Sequence, residues 1–209
     1  MHTDLLVTGF GPFPRVRVNP TTVLAHAVAQ RLRRSGLSVR SLVLETSYGT
    51  GLPQLIRDIE TSRPRALLML GIAARARHVR VELFARGRSS ILHPDASGRT
   101  PAKIGARGSA GLPSRTRGRA PVALAQLRRH AVVSRLSPSA GRYLCDASYA
   151  AALRHPATAG RPVLFVHVPW PRPAAGARPA ARVAGFRPGI GQLARALAAI
   201  GRELAIRGR

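Results

Sequence analysis

Acidic residues, lysine, cysteine and aromatic residues are all scarce in this chain of 209 residues. There are 8 acidic residues against 34 basic ones, which gives a net charge of +26, and Lys103 is the only lysine. A single cysteine, Cys145, cannot form an internal disulfide, so the sequence argues against a disulfide-stapled secreted scaffold. Aromatic residues make up only 4% of the chain, which leaves few stacking platforms for single-stranded nucleic acid.

Long hydrophobic segments and targeting signals are lacking as well. The longest strongly apolar run, residues 66–74, is far too short to span a bilayer. Residues 1–5 do not have the basic region and apolar stretch of a signal peptide, so we expect a soluble cytoplasmic protein. Neither a P-loop, a dinucleotide-binding fingerprint nor a Cys/His cluster with metal-ligand spacing occurs, and we therefore expect no cofactor and no metal.

The positive charge is scattered along the chain and does not form one block. Almost all of it is arginine, which is abundant together with alanine, glycine and proline, as is typical of a GC-rich coding sequence. Weak, salt-sensitive association with polyanions is expected whatever the function. A non-enzymatic polyanion-binding protein is the alternative hypothesis that the charge itself suggests.

Short apolar runs alternate with amphipathic segments along the chain, which is the pattern of an α/β protein. A hydrophobic content of 45% over this length suits a single domain, residues 1–209. We predict a three-layer α/β/α sandwich with a mainly parallel, twisted central sheet. The predicted strands are residues 5–8, 37–44, 66–70, 79–84, 131–133 and 163–168; the predicted helices are residues 20–35, 52–59, 122–130, 143–153 and a C-terminal helix carrying 190–204; residues 87–118 and 171–179 are predicted to be irregular.

Three reactive side chains fall at or near the ends of predicted elements. Cys145 lies in the first turn of a predicted helix, where the helix dipole favours a thiolate. His167 ends the apolar strand 163–168, and the two together are the minimum set for a cysteine nucleophile. Glu82 lies within another apolar strand, so its carboxylate needs a partner, for which a histidine ring is the natural candidate.

Each of these residues also has a simpler interpretation. A lone cysteine is more often a buried small hydrophobe than a nucleophile. Glu82 could pair with Arg80 or Arg86 on a sheet face, and a histidine at a strand end is usually a structural residue. The separations among the Cys145 sulfur, the His167 ring and the Glu82 carboxylate distinguish these interpretations.

Four segments resemble the pyroglutamyl peptidase I family, the pyrrolidone-carboxylate peptidases, in the family's order and at its approximate spacing. They are LVTGFGPF at residues 6–13 followed by Asn19-Pro20, residues 70–82 with their glutamate, SAGRYLC at 139–145 and FVHVP at 165–169. The resemblance covers nearly the whole chain. It implies a cysteine exopeptidase of α/β/α fold that removes an N-terminal pyroglutamyl (5-oxoproline) residue from peptides.

Carried over to this chain, the resemblance also implies roles for individual residues. Cys145 would be the nucleophile that forms a thioacyl intermediate, His167 the general base and acid, and Glu82 the group that orients His167. No cofactor is implied, and the homo-oligomers common in the family imply a dimer or tetramer. The residues implied for binding the lactam ring are Phe10, Phe13, Asn19, Ile72 and Tyr143, of which Phe10 and Phe13 also suit plain core packing.

Two positions depart from the family's pattern around the substrate. Ile72 stands where the family usually has a glutamine that helps to hold the lactam, and a missing buried hydrogen bond costs about 1–3 kcal/mol. Leu92 stands, in an ungapped match, where the family carries an arginine near the oxyanion, for which Arg86 or Arg88 could substitute. The departures indicate a divergent member, and they leave open a cysteine hydrolase of the same fold acting on a different N-acyl or amide substrate.

Overall fold

Strands and helices alternate in a computed structural model of the protein, which describes residues 2–14, 16–90, 92–101, 112–173 and 186–208. None of the helices in these ranges is long and apolar enough to cross a membrane. The strands are β1 (Leu5–Phe10), β2 (Val39–Leu44), β3 (Leu67–Ile72), β4 (Val79–Glu82), β5 (Phe84–Ala85), β6 (Ser114–Arg115), β7 (Ser134–Ser137) and β8 (Val163–Val168). The helices are α1 (Pro20–Arg33), α2 (Gly51–Ser62), α3 (Ala120–Arg129), α4 (Leu144–Arg154) and α5 (Ile190–Arg207), with a short 3₁₀ helix at Pro156–Thr158.

Six strands form the central sheet in the order β2-β1-β3-β8-β4-β7. All neighbours are parallel except β8 and β4, which pair antiparallel, so β4 and β7 run opposite to the other four strands. The strands β3 and β8 are almost continuously apolar and buried, as expected of strands that are covered on both faces. The prediction of a mainly parallel sheet is therefore confirmed.

Helices cover both faces of this sheet. On one face α1 and α3 pack against α5, over a core that includes Leu24, Leu68 and Leu197. On the other face α2 packs against α4, over a second core that includes Phe165 and Tyr149. The three-layer sandwich is thus the observed architecture, and the second core lies directly beneath the candidate site described below.

The first loop and α1 are held close to the end of β1. The Asn19 side chain caps α1 by accepting from the Thr21 N–H at 3.1 Å, and Pro20 occupies the first helical position. A Cβ on Gly9 would lie 2.3 Å from the Thr21 carbonyl oxygen, so glycine permits this close approach. Because Gly9 is extended and pairs with β2, β1 continues to Phe10 instead of ending at residue 8 as predicted.

Two predicted strands differ from the structure by more than the residues at which they begin or end. The strand predicted at 131–133 is wrong, because Ala131 adopts a left-handed conformation (φ 54°) after α3 and β7 begins only at Ser134. The strand predicted at 79–84 is divided at Leu83, after which β5 pairs with β6 in a separate ribbon. Of that ribbon, β6 falls within the segment predicted to be irregular at 87–118. Residues 91 and 102–111 of this segment lie outside the described residues, as do 174–179 of the segment 171–179.

Candidate active site

Glu82, Cys145 and His167 come together at the sheet edge where β8 ends and α4 begins. The His167 Nδ1 lies 2.8 Å from the Glu82 Oε1. The Cys145 side chain lies near enough to the His167 ring to act on its pKa through charge and hydrogen bonding, and both residues line the same cavity. Glu82 is fully buried and His167 nearly so, whereas Cys145 keeps partial exposure. The three groups therefore form one chain of contacts that runs from the buried acid through the imidazole to the accessible thiol.

The His167 ring is confined by its neighbours on the sheet. The Phe165 ring lies 4.7 Å from it, between centroids, and Tyr149 donates to the backbone carbonyl of Glu82 at 3.2 Å. On the adjacent strand β3, a Cβ on Gly71 would lie only 2.9 Å from His167 Cδ2. A glycine at position 71 therefore leaves the space in which the imidazole sits.

The environment of His167 favours its protonated form. Burial alone lowers the pKa of His167, but the charge and hydrogen bond of Cys145, followed by the hydrogen bond and charge of Glu82, raise the pKa from 6.5 to about 9. At neutral pH the imidazole is thus a cation, and it lies between the Glu82 carboxyl group and the Cys145 side chain. This is the arrangement that activates a thiol as a thiolate.

Cys145 occupies the first turn of α4, and the N-terminus of this helix has no side-chain cap. By helix geometry, the N–H groups of Leu144 and Cys145 have no carbonyl partner within the helix. Neither N–H has another hydrogen-bond acceptor among the described residues, so both can bind a negatively charged oxygen beside the sulfur, and the helix dipole acts in the same direction.

Asp146 is a buried residue beside the nucleophile that the sequence analysis missed. Its carboxylate accepts from the backbone N–H of Arg86 at 3.1 Å and of Arg88 at 2.6 Å. These bonds tie the segment after β5 to the start of α4. The guanidinium of Arg86 points elsewhere, to the Pro138 carbonyl.

A cavity of about 580 Å³ opens beside Cys145 and His167. Its described lining is mostly apolar and includes Leu92, a residue that is 80% exposed. The arginine in this lining is Arg142, whereas Arg86 and Arg88 do not belong to it. Trp170, just after β8, is a lining residue that the sequence analysis missed. The five residues predicted to contact the substrate all line the cavity as well, namely Phe10, Phe13, Asn19, Ile72 and Tyr143.

Aromatic rings form one wall of the cavity. Tyr143 packs against Phe13 at 6.1 Å and edge-on against Tyr48 at 5.9 Å, measured between ring centroids. Burial raises the pKa of Tyr143, so its hydroxyl stays neutral and donates to the Pro94 carbonyl at 2.9 Å. Phe10 is nearly fully buried and lies 6.5 Å from the Phe165 ring, so it is both core and cavity wall.

Asn19 and Ile72 lie at the same cavity but differ in what they offer. The Asn19 amide nitrogen donates to the Gly11 carbonyl at 3.0 Å, and its oxygen accepts from Thr21, so this side chain chiefly holds the first loop. Ile72, at the end of β3, presents hydrocarbon. The cavity floor at this position therefore has no side-chain hydrogen-bonding group.

Asp95 is a second buried acid that the sequence analysis did not identify. It accepts from the N–H groups of Tyr48, Ser97 and Arg99 at 2.9–3.0 Å. Burial alone raises the pKa of Asp95, but the hydrogen bond from the Ser97 hydroxyl and those from the backbone lower it overall. These hydrogen bonds to the carboxylate fix the loop in which Pro94 forms part of the cavity wall. The only advance signal was an acid in a turn-forming sequence, Pro94 to Gly98.

Among the described residues no group of three or more His, Cys, Asp or Glu side chains could hold a metal ion. The reactive side chains at the site are the Cys145 thiol, the His167 imidazole and the Glu82 carboxyl group. The chemistry available from the described side chains is therefore nucleophilic and acid–base chemistry.

Comparisons with known proteins identify relatives over most of this length. The pyroglutamyl peptidase family profile matches residues 3–181. The pyrrolidone-carboxylate peptidase of Gloeobacter violaceus is 30% identical over 173 residues, covering 79% of this chain and 81% of that protein. The pyrrolidone-carboxylate peptidase of Streptomyces coelicolor is 33% identical over 173 residues, covering 80% and 78%.

Solved structures agree with this relationship. The pyrrolidone carboxyl peptidase of Thermus thermophilus superposes with a TM-score of 0.73 at 27% identity, covering 96% of this chain and 99% of that one. The pyroglutamyl peptidase I of Bacillus amyloliquefaciens, at 20% identity, shares the fold with a TM-score of 0.76, covering 98% and 97%. The chain therefore belongs to the pyroglutamyl peptidase family.

Proposed function

We propose that this protein is a cysteine peptidase that removes an N-terminal pyroglutamyl residue from peptides through a thioacyl-enzyme intermediate. The observation that carries the proposal is the contact chain from Glu82 through His167 to Cys145, at the mouth of a cavity with an aromatic wall. Membership of a peptidase family supports the reaction class.

In the first half of the reaction, the Cys145 thiolate attacks the carbonyl carbon of the pyroglutamyl residue. The carbonyl oxygen becomes an oxyanion, which the free N–H groups of Leu144 and Cys145 stabilise. Protonated His167 then gives its proton to the leaving amine as the C–N bond breaks, and the acyl group stays on sulfur. Glu82 keeps the ring aligned through its bond to Nδ1.

In the second half, neutral His167 takes a proton from water. The resulting hydroxide attacks the thioacyl carbon, the C–S bond breaks, and 5-oxoproline leaves. The thiolate and the protonated imidazole are restored, so protons and charge balance over the cycle. Residues Phe10, Phe13 and Tyr143 hold the lactam ring by packing against it.

A second candidate is favoured by one observation, the hydrocarbon of Ile72 on the cavity floor. A lactam bound there leaves its polar edge without the side-chain partner that a glutamine would supply. A different N-acyl group with an apolar edge would lose nothing at this position. The second candidate is therefore the same cysteine chemistry on another N-acyl amide.

A panel of fluorogenic amides separates the two candidates. We expect release of the fluorophore from the pyroglutamyl amide, with a kcat/KM at least tenfold above that for the prolyl, acetyl-alanyl and cyclopentanecarbonyl amides. A higher kcat/KM for the cyclopentanecarbonyl amide than for the pyroglutamyl amide would favour the second candidate. No turnover of any of them, by protein that retains its folded circular dichroism spectrum, would contradict both.

The substitution Gly71→Ala tests whether activity depends on the space that Gly71 leaves for the His167 imidazole. The new methyl would lie 2.8 Å from the Phe165 ring and 2.9 Å from His167 Cδ2, so one ring must move. Displacement of a catalytic group by about 1 Å costs roughly 10²-fold in rate, and we expect that loss in kcat with KM little changed. The control is Gly49→Ala, where the nearest side-chain atom is 4.0 Å away. Full activity in Gly71→Ala would show that the ring is not confined there.

A further inference from the structure

We propose that Arg80 and Arg135 bind a carboxylate on the departing part of the substrate, within about two residues of the scissile bond. The carboxylate is supplied either by an acidic side chain or by the C-terminus of a short peptide. This inference rests on the proposed function and names the class of peptide that the site prefers.

The direction in which the leaving peptide departs follows from the order of the strands. The acyl cavity is lined by Phe10 at the end of β1 and by Ile72 at the end of β3, on one side of β8. His167 lies on β8 itself, and β4 and β7 follow on the other side. With the acyl group held over β1 and β3, the amine that His167 protonates continues towards β4 and β7.

Two arginines lie in that direction and in register with the imidazole. His167 on β8 is directly opposite Arg80 on β4, and Arg80 is directly opposite Arg135 on β7. Side chains of directly opposite residues share one face of a sheet. Neighbouring strands are ~4.8 Å apart, so the row of three spans about 10 Å, while two residues of extended peptide span ~7 Å.

The positive charges of Arg80 and Arg135 are not paired by an acidic side chain among the described residues. The ion pairs found among them do not include Arg80 or Arg135. Glu82 shares the face; its Oε1 is bonded to His167, and its buried Oε2 has no hydrogen-bond partner among the described residues. The Arg80 Nε is buried and has no hydrogen-bond partner in the described parts of the chain, and the same holds for the Nε2 of the adjacent His78.

Positive charge also surrounds the adjacent His78. Burial lowers the pKa of His78, and the charges of Arg135 and Arg80 lower it further, which places the three groups close together. Like charges gathered on one face repel each other, and a buried donor without a partner is costly. A bound carboxylate would offset both costs. The cavity adds Arg142, and its described lining contains no acidic residue.

The test compares pyroglutamyl dipeptides that differ only in charge. We expect kcat/KM for pyroglutamyl-glutamic acid amide to exceed that for pyroglutamyl-glutamine amide by about tenfold, a modest value because Arg135 is exposed. Pyroglutamyl-glutamine with a free C-terminus separates a main-chain carboxylate from a side-chain one. The preference should shrink at high salt. Equal rates for all three peptides would overturn the inference while leaving the proposed function intact.

Charge-matched variants identify the arginines responsible. Arg135→Gln and Arg80→Gln should each reduce, by several-fold, the ratio of kcat/KM for the acidic peptide to kcat/KM for the neutral one. Because Arg135 is exposed, its variant tests the proposal even if Arg80→Gln is unstable. The control is Arg31→Gln, which removes the same charge from an exposed position on α1, on the other face of the sheet. An equal loss of preference in Arg31→Gln would assign the effect to net charge and refute the proposed site.

Binding to an inactive variant keeps this inference separate from the catalytic proposal. Calorimetry on Cys145→Ala would measure the affinities for the acidic and neutral peptide amides without turnover. Tighter binding of the acidic peptide, lost in Cys145→Ala/Arg135→Gln, supports the site even if no peptide is cleaved. Equal affinity overturns it, whatever the activity of the wild-type protein.

Discussion

Replacement of Cys145 by alanine is expected to lower kcat for a pyroglutamyl amide by roughly 10⁴-fold or more, since no other described group at the site can form the acyl intermediate. His167→Ala should be about as inactive, and the double variant no worse, because the two residues act as one unit. Rapid-quench mass spectrometry of the wild-type protein during turnover should detect a pyroglutamyl adduct on Cys145.

The measurement has a structural control. Cys145 is only partly buried and its side chain is small, so the alanine variant should unfold at nearly the same temperature as the wild type. Residual activity above about one per cent in a stable Cys145→Ala protein would mean that another nucleophile acts, and the proposed mechanism would have to be abandoned.

Glu82→Gln should have the second largest effect, because it removes the buried charge while keeping the size of the side chain. The loss in kcat should be roughly 10²- to 10⁴-fold, as expected when an imidazole loses the acid that orients it. The pKa of His167 should fall, since Glu82 helps to raise it to about 9 through its hydrogen bond and charge. The alkaline limb of the pH profile of kcat/KM should therefore move to lower pH.

The same variant alters the pH dependence of stability. A histidine whose pKa is raised on folding contributes stability that is fully present below about pH 6.5 and is lost as the pH rises through about 9. Urea unfolding of the wild type over this range should show that loss, and Glu82→Gln should show less of it. The control is Tyr149→Phe, which removes a hydrogen bond to the Glu82 carbonyl and leaves the carboxylate unchanged. An unshifted alkaline limb in Glu82→Gln would contradict the assigned role.

The parts of the fold that could be predicted from sequence are those with a strong local pattern. The predicted bounds of strand β8 match the observed ones, because VLFVHV is an almost continuous apolar run between Pro162 and Pro169. The start of α1 followed from the cap at Asn19 and Pro20. The strand predicted at 131–133 failed because the left-handed turn at Ala131 carries no glycine or asparagine to mark it.

The candidate site shows a similar division. The convergence of Glu82, Cys145 and His167 was anticipated from strand ends and family resemblance, and their catalytic roles stay predictions. Asp146 and Asp95 were missed because their carboxylates bind backbone N–H groups that lie as far as 60 and 47 positions away. The local sequence around each aspartate does not indicate hydrogen bonds to such distant residues. The antiparallel pairing of β4 with β8, which aligns Arg80 with His167, is equally a property of tertiary structure.

The insertion of β8 between β3 and β4 has a consequence for the order of events during folding. The imidazole is contributed by a strand that begins only at Val163, whereas the two strands between which it lies end at Ile72 and Glu82. Pairings over such long stretches of chain are slow to form, because the loop must close before the contacts repay the lost entropy. A chain truncated before β8 lacks the imidazole and this central pairing, so the proposed hydrolytic activity should appear only after β8 has paired with β3 and β4.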